Sequence, residues 1–368
     1  PGEQVADFEE YTRLYREAWS DPDVRWLLST VPTTMIFDDH DVHDDWNISE
    51  AWVVEMHERP WWEARITGAF MAYWLYQHLG NLSPEELAED GLFDAVRRDA
   101  DGGARLRERA RRWDRERESS RWAYVRDFGR SRLLVLDCRA GRVVEDDRRA
   151  MINREEWRWI VEHAHGSYDH LVVATTLPAF LPHGIHFLEA WNEAVCDGCW
   201  GRLAGRLAER LRRAVDLEHW AAYQGSFHGL VGLLRSISNG LGGEPPASIV
   251  IVSGDVHMTY VASVDLGDDA GRSRVLQVVC SPFRNPLDSR ERRVVRVTGS
   301  RAAAAVFSRL ARLCGVESAG ASWALTRERT FDNSIGELEL DGTDVRVTLF
   351  DVQPNAEARL RVAHCERY

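Results

Sequence analysis

The stretch Ile249-Val250-Ile251-Val252-Ser253-Gly254-Asp255-Val256-His257 joins a short apolar run to a turn that carries a carboxylate and an imidazole. Four consecutive β-branched residues predict a strand buried on both faces, and the Ser-Gly pair permits a tight turn after it. On an extended backbone, Asp255 and His257 would share a face because alternate residues do. The pair predicts a metal site with oxygen and nitrogen ligands; an Asp cap beside an incidental His is the alternative.

Other apolar runs predict further strands, with helical segments between them. These runs lie at 133–136, 171–174 and 275–280. Residues 337–350 have a different pattern, in which Asp341-Gly342 separates two strand-like halves and predicts a β-hairpin. The predicted architecture is therefore α/β, with a layered sheet whose functional loops leave the carboxyl ends of the strands.

A second chemical signal lies at residues 38–45, which hold five Asp and two His. They follow an apolar segment at 33–37 that predicts another buried strand. Like charges this close repel one another unless cations lie among them. The apolar Val42 and Trp46 indicate partial burial, and buried carboxylates need partners such as hard metal ions. A helix N-terminus capped by Asp residues is the alternative.

Two further loops follow predicted strands and carry candidate substrate contacts. His183 and His186 flank a glycine in a Pro-marked loop, and they are candidates for ligands, substrate contacts or loop stabilisers. Arg284 follows the run at 275–280, and its planar guanidinium matches the oxygens of a phosphate. A buried structural arginine is equally compatible with that position. We predict substrate binding for His183 and Arg284.

The composition narrows the function classes. A formal net charge of −13 argues against binding of nucleic acid through a broadly basic face. The sequence has no uncharged apolar run of 18 residues, so no membrane span is expected. The sequence also lacks a Gly-x-Ser-x-Gly elbow, a Walker A segment and a dinucleotide-binding glycine motif, which are the motifs that would predict other classes of enzyme. Cys196 and Cys199 predict a pair of thiols, with a redox or metal role as the alternative.

The two acid–histidine segments resemble motifs of one known family. Phe-Asp-Asp-His-Asp at 37–41, followed by Asp44-Asp45-Trp46, resembles the Trp-Asp-Asp-His-Glu segment of PhoD-like alkaline phosphatases, and 253–257 resembles their Ser-Gly-Asp-Val-His segment. The resemblance implies the fold of calcineurin-like metallophosphoesterases, a layered β-sandwich flanked by helices. We expect a single domain over 1–368, with a helical insertion at 48–130.

The resemblance also implies an activity and the residues that carry it. Members of the family hydrolyse phosphate mono- or diesters, which makes this chain a candidate alkaline phosphatase or phosphodiesterase that uses a metal-activated water. It implies catalytic roles for Asp39 and His40. The implied metal ligands are Asp38, Asp39, Asp255 and His257. Two or more metal ions are implied, with iron and calcium as the family's metals, and the expected partner is a phosphate-ester small molecule or a phosphodiester.

One family motif is absent from the sequence. The early Gly-Asp-x-x-Tyr motif, which supplies a metal-bridging carboxylate, should precede the helix predicted at 8–19, and nothing similar occurs there. Since the chain begins at Pro1, we expect a missing N-terminal part and weak or no activity from this chain alone. Cytoplasmic and exported locations both stay open. The competing hypotheses are a non-catalytic metal- or partner-binding protein that retains the fold, and a redox protein built around Cys196 and Cys199.

Overall fold

The structure is a computed structural model, and it describes residues 4–145, 148–267, 271–283, 286–327, 329–353 and 359–368. The chain forms two compact units. Unit 1 comprises Pro1–Tyr124, Arg139–Arg148 and Ile152–Glu156, and unit 2 comprises Val125–Cys138, Arg149–Met151 and Trp157–Tyr368. The assignment of residues 48–130 to an insertion within a single domain stays a prediction. Among the described residues, no helix is long and apolar enough to cross a bilayer.

Unit 1 is largely helical, and its sequence marks where helices begin. Asp7 caps the first helix by accepting a hydrogen bond from the backbone N–H of Glu10 at 3.0 Å. Pro22 opens the second helix, where its missing N–H costs nothing. The described helices of this unit are α1 (Phe8–Trp19), α2 (Pro22–Thr30), α3 (Glu50–His57), α4 (Trp62–Tyr73), α5 (Leu79–Asn81), α6 (Pro84–Glu89), α7 (Gly91–Arg98) and α8 (Gly102–Arg115), with a π-helical segment (Trp74–His78) before α5.

The core of unit 1 is rich in aromatic side chains. Phe37, Trp46 and Phe70 are each less than 5% exposed. The ring of Phe37 lies 5.3 Å from that of Trp46 and 5.8 Å from that of Phe70. Because Phe37 and Trp46 flank residues 38–45, their burial anchors both ends of the acid-rich segment.

The segment 33–37 is not a strand, so this part of the sequence prediction is wrong. The side-chain amide of Asn81 donates to the Met35 carbonyl and accepts from the Met35 N–H, both at 2.8 Å. The hydroxyl of Tyr124 donates to the same carbonyl at 3.0 Å. Side chains therefore satisfy the backbone groups that a neighbouring strand would otherwise bond. The apolar run contributes to the core of unit 1, where Phe37 packs against α4.

The strands form two sheets. In chain order the described strands are β1 (Tyr124–Phe128), β2 (Ser131–Val135), β3 (His170–Ala174), β4 (Ser248–Ser253), β5 (Tyr260–Asp265), β6 (Arg274–Val279), β7 (Ser322–Leu325), β8 (Ser334–Asp341), β9 (Asp344–Gln353) and β10 (Arg359–Arg367). Those of the large sheet lie in the order β1-β2-β3-β4-β6-β5-β7. Strands β2, β3, β4 and β6 run parallel, and β5 is antiparallel to β6 and β7. The runs predicted as strands in this region are confirmed as β2, β3, β4 and β6.

The small sheet has the order β10-β9-β8 and is antiparallel throughout. Its strands β8 and β9 are the predicted hairpin, and Gly342 adopts a φ of +61° in the turn between them. Val345 and Val347 of β9 form one buried apolar cluster with Val250 of β4 and Leu276 of β6. The two sheets therefore share a core, and the fold is the layered, mixed α/β sandwich that the sequence predicts.

Helices cover the large sheet. The remaining described helices are α9 (Arg154–Ala164), α10 (His183–Cys196), α11 (Arg202–Ala214), α12 (Gln224–Ser238), α13 (Ser289–Thr298) and α14 (Arg301–Leu313). Trp323 of β7 contacts the rings of His186 in α10 and Phe227 in α12, with centroids 4.7 and 6.4 Å away. These contacts fix α10 and α12 on the sheet.

One disulfide bond corrects the interpretation of the cysteines. Cys199 is bonded to Cys314, 115 residues later in the chain, and not to Cys196. Cys196 remains a thiol at the end of α10, and burial raises its pKa to about 11. A redox couple between Cys196 and Cys199 is therefore wrong for this structure, since Cys199 already has another partner.

Candidate functional site

The acidic loop, defined as Asp38–Asp45, is organised around a buried arginine that the sequence analysis missed. Arg139 is fully buried, and its Nη2 lies 3.0 Å from Oδ1 of Asp38 and 3.3 Å from Oδ1 of Asp39. Asp39 itself is only 4% exposed. One guanidinium thus compensates two neighbouring carboxylates, which would otherwise repel each other in a poorly solvated place.

Hydrogen bonds within the acidic loop and just after it hold this arrangement in place. Asp45 donates its N–H to Oδ2 of Asp39 at 3.2 Å, and Asn47 donates Nδ2 to the carbonyl of Arg139 at 3.2 Å. Asp45 and Asn47 both have positive φ, at 60° and 68°. Asp and Asn tolerate this conformation better than most residues, because their short polar side chains bond locally. The loop is therefore a fixed structure whose sequence suits its backbone.

Asp41 points to a different partner and behaves as a structural acid. It accepts hydrogen bonds from the backbone N–H of Asp38 at 3.0 Å and from Nε2 of Gln77 at 2.7 Å. Burial raises the pKa of its carboxyl to about 7. The capping alternative thus applies to Asp41, whereas Asp38 and Asp39 face Arg139.

The exposed part of the acidic loop brings His40 and Asp44 together. Nε2 of His40 lies 3.5 Å from Oδ1 of Asp44, and the two side chains are 68% and 71% exposed. Asp39, His40 and Asp44 each offer a ligand atom, and the three atoms lie within 4.8 Å of one another. Two carboxylates and an imidazole at this spacing suit a metal ion that accepts mixed oxygen and nitrogen ligands.

The Asp255 loop, defined as Gly254–His257, differs from the extended turn that the sequence predicts. Asp255 and His257 have φ of +68° and +49°, so the argument that they share a face of an extended backbone is wrong. The N–H of His257 donates to the carbonyl of Asp255 at 2.9 Å and lies 3.2 Å from Oγ of Ser281. These contacts close a tight turn directly after β4, and such unusual backbone conformations cluster at functional sites.

Asp255 faces a histidine that the sequence analysis also missed. Nε2 of His219 lies 3.9 Å from Oδ2 of Asp255, and Nδ1 of His219 lies 2.6 Å from Oε1 of the fully buried Glu189. Burial alone would lower the pKa of His219, but the adjacent Glu189 carboxylate outweighs burial and raises it. The result is a row of carboxylate, imidazole and carboxylate in unit 2. Neither His219 nor Glu189 lies in a motif, so spacing alone gave no signal for them.

His183, one of the two predicted substrate residues, lies apart from the Asp255 loop. His183 stacks on Trp323 with ring centroids 4.7 Å apart, and it lines a cavity whose wall includes neither Asp255 nor His257. Its neighbour His186 is buried, and burial lowers its pKa to about 3, as expected for a neutral structural ring. Arg284 lies outside the described residues. The structure therefore groups Asp38, Asp39 and His40 in unit 1 and Asp255 and His257 in unit 2, with His183 elsewhere in unit 2.

Comparison with known proteins gives two findings. The family model for PhoD-like phosphatases matches residues 1–328. The solved structure of PhoD is similar to 99% of this chain, with a TM-score of 0.56 and 13% sequence identity, a likeness that concerns the fold alone. This chain spans 58% of that PhoD chain. The search of curated proteins found no match.

Proposed function

The chain belongs to the PhoD-like phosphatase family, and on this premise we propose that it hydrolyses phosphate esters with a water molecule activated by bound metal ions. The observation that carries the proposal is the acidic loop, where buried and exposed carboxylates lie beside an exposed histidine. Carboxylates of this kind suit hard cations. A surface cluster of acids would not need the buried Arg139 that compensates Asp38 and Asp39.

The donor set supports metal binding. We assign metal ligation to Asp38 and Asp39 in unit 1 and to Asp255 and His257 in unit 2, with iron and calcium as the ions. Carboxylate oxygens suit calcium, and iron accepts both carboxylate and imidazole ligands. When bound, such ions lower the pKa of a coordinated water and stabilise charge on the phosphoryl oxygens. The chain's own part is to hold charged carboxylates in a fixed geometry, and Arg139 and the hydrogen bonds of Asp45 and Asn47 serve that purpose.

His40 is the proposed catalytic histidine. Its ring is exposed, so a substrate can reach it, and Oδ1 of Asp44 lies 3.5 Å from Nε2 and can orient the ring. A histidine in this position can protonate the leaving oxygen of the ester or stabilise the charge that develops there. Asp39, less than 5% exposed, contributes as a ligand and as the acceptor of the Asp45 N–H.

His219 and Glu189 are proposed as positioning residues for Asp255. Glu189 is fully buried and holds Nδ1 of His219 at 2.6 Å, which leaves Nε2 directed towards Asp255 at 3.9 Å. Partners of this kind orient ligands, and their loss commonly weakens metal affinity ~10–100-fold. The substrate-binding roles of His183 and Arg284 stay predictions.

Metal content and turnover of Asp255→Asn test the proposal. Asparagine keeps the shape of the side chain and tolerates the positive φ of this position, so the exchange removes the charge with little change of the backbone. We expect bound iron or calcium, measured by plasma mass spectrometry, to fall well below the wild-type content. Asp265→Asn is the matched control, since Asp265 is an exposed acid at the end of β5 in the same unit, and its metal content should equal wild type.

Turnover on p-nitrophenyl phosphate and bis-p-nitrophenyl phosphate separates monoester from diester hydrolysis. Wild type should hydrolyse at least one of them, and Asp255→Asn should lose that activity together with the metal. Metal that stays bound in Asp255→Asn would reject this ligand assignment. A wild-type chain that binds metal but turns over neither ester would favour the non-catalytic binding protein.

A further inference from the structure

A cavity in unit 2 has a strongly basic wall. Its volume is about 760 Å³, and four arginines and one histidine line it: Arg296, Arg301, Arg327, Arg329 and His183. No acidic residue is among the described residues that line it, although the whole chain carries a formal charge of −13. We call this cavity the arginine pocket. A local excess of positive charge in an acidic protein requires an explanation.

Close packing builds the pocket from three elements. Arg296 lies near the end of α13 and Arg301 begins α14, with Gly299 in the short connection between them. A Cβ at Gly299 would lie 1.9 Å from Nη1 of Arg329, and a Cβ at Gly184 would lie 1.9 Å from the carbonyl oxygen of Thr298. The contact at Gly184 is with backbone and permits only glycine, whereas a side chain at Gly299 would displace the Arg329 guanidinium. The α13–α14 connection is thereby held against both the start of α10 and Arg329.

The charges of the pocket are only partly compensated. Among the described residues, Arg327 has one carboxylate nearby, since its Nη2 lies 3.9 Å from Oδ2 of Asp351, but Asp351 is also 3.5 Å from Arg361. Nη1 of Arg327 is buried without a hydrogen-bond partner among the described residues. Neither Arg296 nor Arg301 forms an ion pair with a described residue, and Arg296 lies over the ring of Phe331 at 5.3 Å. The unbonded donor of Arg327 is costly because it is buried, whereas Arg296 and Arg301 are exposed and accessible to a ligand.

The fixed arginine suggests how the pocket is kept open. Arg329 donates to the carbonyls of Val295 and Gly299 at 3.3 and 3.4 Å, so its guanidinium is held rigidly at the wall. His183 stacks flat on Trp323, with an angle of 4° between the rings. The pocket is therefore formed in advance, with donors on one side and an aromatic wall on the other, as is typical of small-molecule sites.

We propose that the arginine pocket binds an anion that carries two or more phosphate groups. Guanidinium groups match phosphate oxygens through paired N–H donors. Four guanidinium groups offer more N–H donors than a single phosphate needs. The cavity of 760 Å³ also leaves room for a second phosphate. Trp323 and Phe331 offer an apolar surface for an attached organic group. None of the proposed metal ligands lines this pocket, so the inference does not depend on the proposed hydrolysis.

Isothermal titration of the full chain with methylenediphosphonate tests the proposal, because this diphosphate analogue resists hydrolysis by a phosphoesterase. We expect saturable binding by wild type and a loss of affinity of roughly tenfold for Arg296→Ala and for Arg301→Ala. Arg293→Ala on α13 and Arg309→Ala on α14 are the matched controls, since both arginines are exposed on the same two helices and line no part of the pocket. Their affinity should equal wild type.

The possible outcomes separate this pocket from the proposed hydrolytic site. With divalent ions removed by a chelator, so that the proposed metal site cannot hold the probe, Asp255→Asn should bind it like wild type, whatever its turnover. Absence of saturable binding by wild type would overturn the proposal, and so would equal losses in the pocket variants and the matched controls, which indicate attraction by general charge. Binding that is lost in Asp255→Asn but kept in Arg301→Ala would place the anion elsewhere and also overturn it. Thermal melting confirms that each variant is folded.

Discussion

The acidic loop of unit 1 and the Asp255 loop of unit 2 compensate their carboxylates in different ways. In the acidic loop, Asp38 and Asp39 face the fully buried Arg139, whose charge does not change at any ordinary pH. In unit 2, Asp255 faces His219, which Glu189 holds from the other side. A histidine charge can be lost near neutral pH. The Arg139 charge in the first region is therefore constant near neutral pH, whereas the His219 charge in the second depends on pH.

The comparison is tested most strongly by Arg139→Met, which removes the charge from unit 1 but keeps much of the side-chain volume. Two poorly solvated carboxylates would lose their common partner, and we expect the free energy of unfolding to fall by about 3–5 kcal/mol. Urea denaturation at neutral pH in the presence of a chelator measures this change. Removal of divalent ions prevents a bound metal from replacing the lost positive charge.

Arg59→Met is the matched control for Arg139→Met in the same unit. Nη2 of Arg59, two residues beyond the end of α3, lies 2.8 Å from Oε1 of Glu55 in that helix, and both side chains are exposed. Its loss should change the free energy of unfolding by no more than about 0.5 kcal/mol. Equal effects of the two substitutions would show that Arg139 does not compensate buried charge.

Glu189→Gln probes the second region and should have a smaller effect that depends on pH. Glutamine can still accept the hydrogen bond from His219 but carries no charge, so we expect a loss of about 1–3 kcal/mol at about pH 6. The folded-state pKa of His219 is raised. Its stabilising contribution is therefore fully present below the unfolded pKa of about 6.5 and is lost as pH rises through the folded pKa.

The dependence of these costs on pH distinguishes the two regions. The cost of Glu189→Gln should shrink between about pH 6 and about pH 9, whereas that of Arg139→Met should stay constant, because arginine keeps its charge. Urea denaturation of both variants and wild type at each pH, again with a chelator, gives both quantities. A cost of Glu189→Gln that is independent of pH would mean that His219 does not carry a charge beside Glu189.

The sequence predicted the elements whose pattern is local. Continuous apolar runs identified β2, β3, β4 and β6, and Asp-Gly identified the hairpin of β8 and β9, because buried strands and tight turns restrict composition strongly. The same rule misled at 33–37, where the amide of Asn81 satisfies the backbone of Met35 in place of a strand. The apolar run correctly indicated burial. Whether the buried segment forms a strand depended on a side chain that is distant in the sequence.

Only those residues of the candidate site that lie in contiguous motifs could be predicted from the sequence. Asp39, His40 and Asp255 were identifiable because acids and histidines beside apolar runs need an explanation. Arg139 and His219 lie far away in the sequence, in contexts without a pattern, although they contact those motifs within their own units. A residue that the fold brings next to a motif from elsewhere in the chain cannot be recognised from the spacing of residues in the sequence. The groups that compensate the charges of the acidic residues could therefore be identified only in the structure.

His40→Gln should affect stability far less than the substitutions of the buried Arg139 and Glu189. The ring is 68% exposed and its contact with Asp44 is a solvated one of 3.5 Å, so the free energy of unfolding should change by less than about 0.5 kcal/mol. Turnover should nevertheless fall by ~10²–10⁴-fold, because the exchange removes a group that can transfer a proton to the leaving oxygen. Metal content should stay at the wild-type level, because His40 is assigned to the leaving oxygen and not to the metal; a loss of metal would instead make His40 a ligand beside Asp39 and Asp44.

His43→Gln is the control that sharpens this last prediction, because it makes the same exchange three residues further along the acidic loop. The ring of His43 stacks on Trp61 with centroids 6.0 Å apart, and its Nδ1 lies 2.7 Å from the carbonyl of Asp44. We therefore expect His43→Gln to lower the free energy of unfolding more than His40→Gln and to leave turnover close to wild type. If both variants lose turnover equally, the shape of the acidic loop determines activity and His40 has no chemical role of its own. If only His40→Gln does, one loop contains a histidine that maintains the structure and another that acts on the substrate.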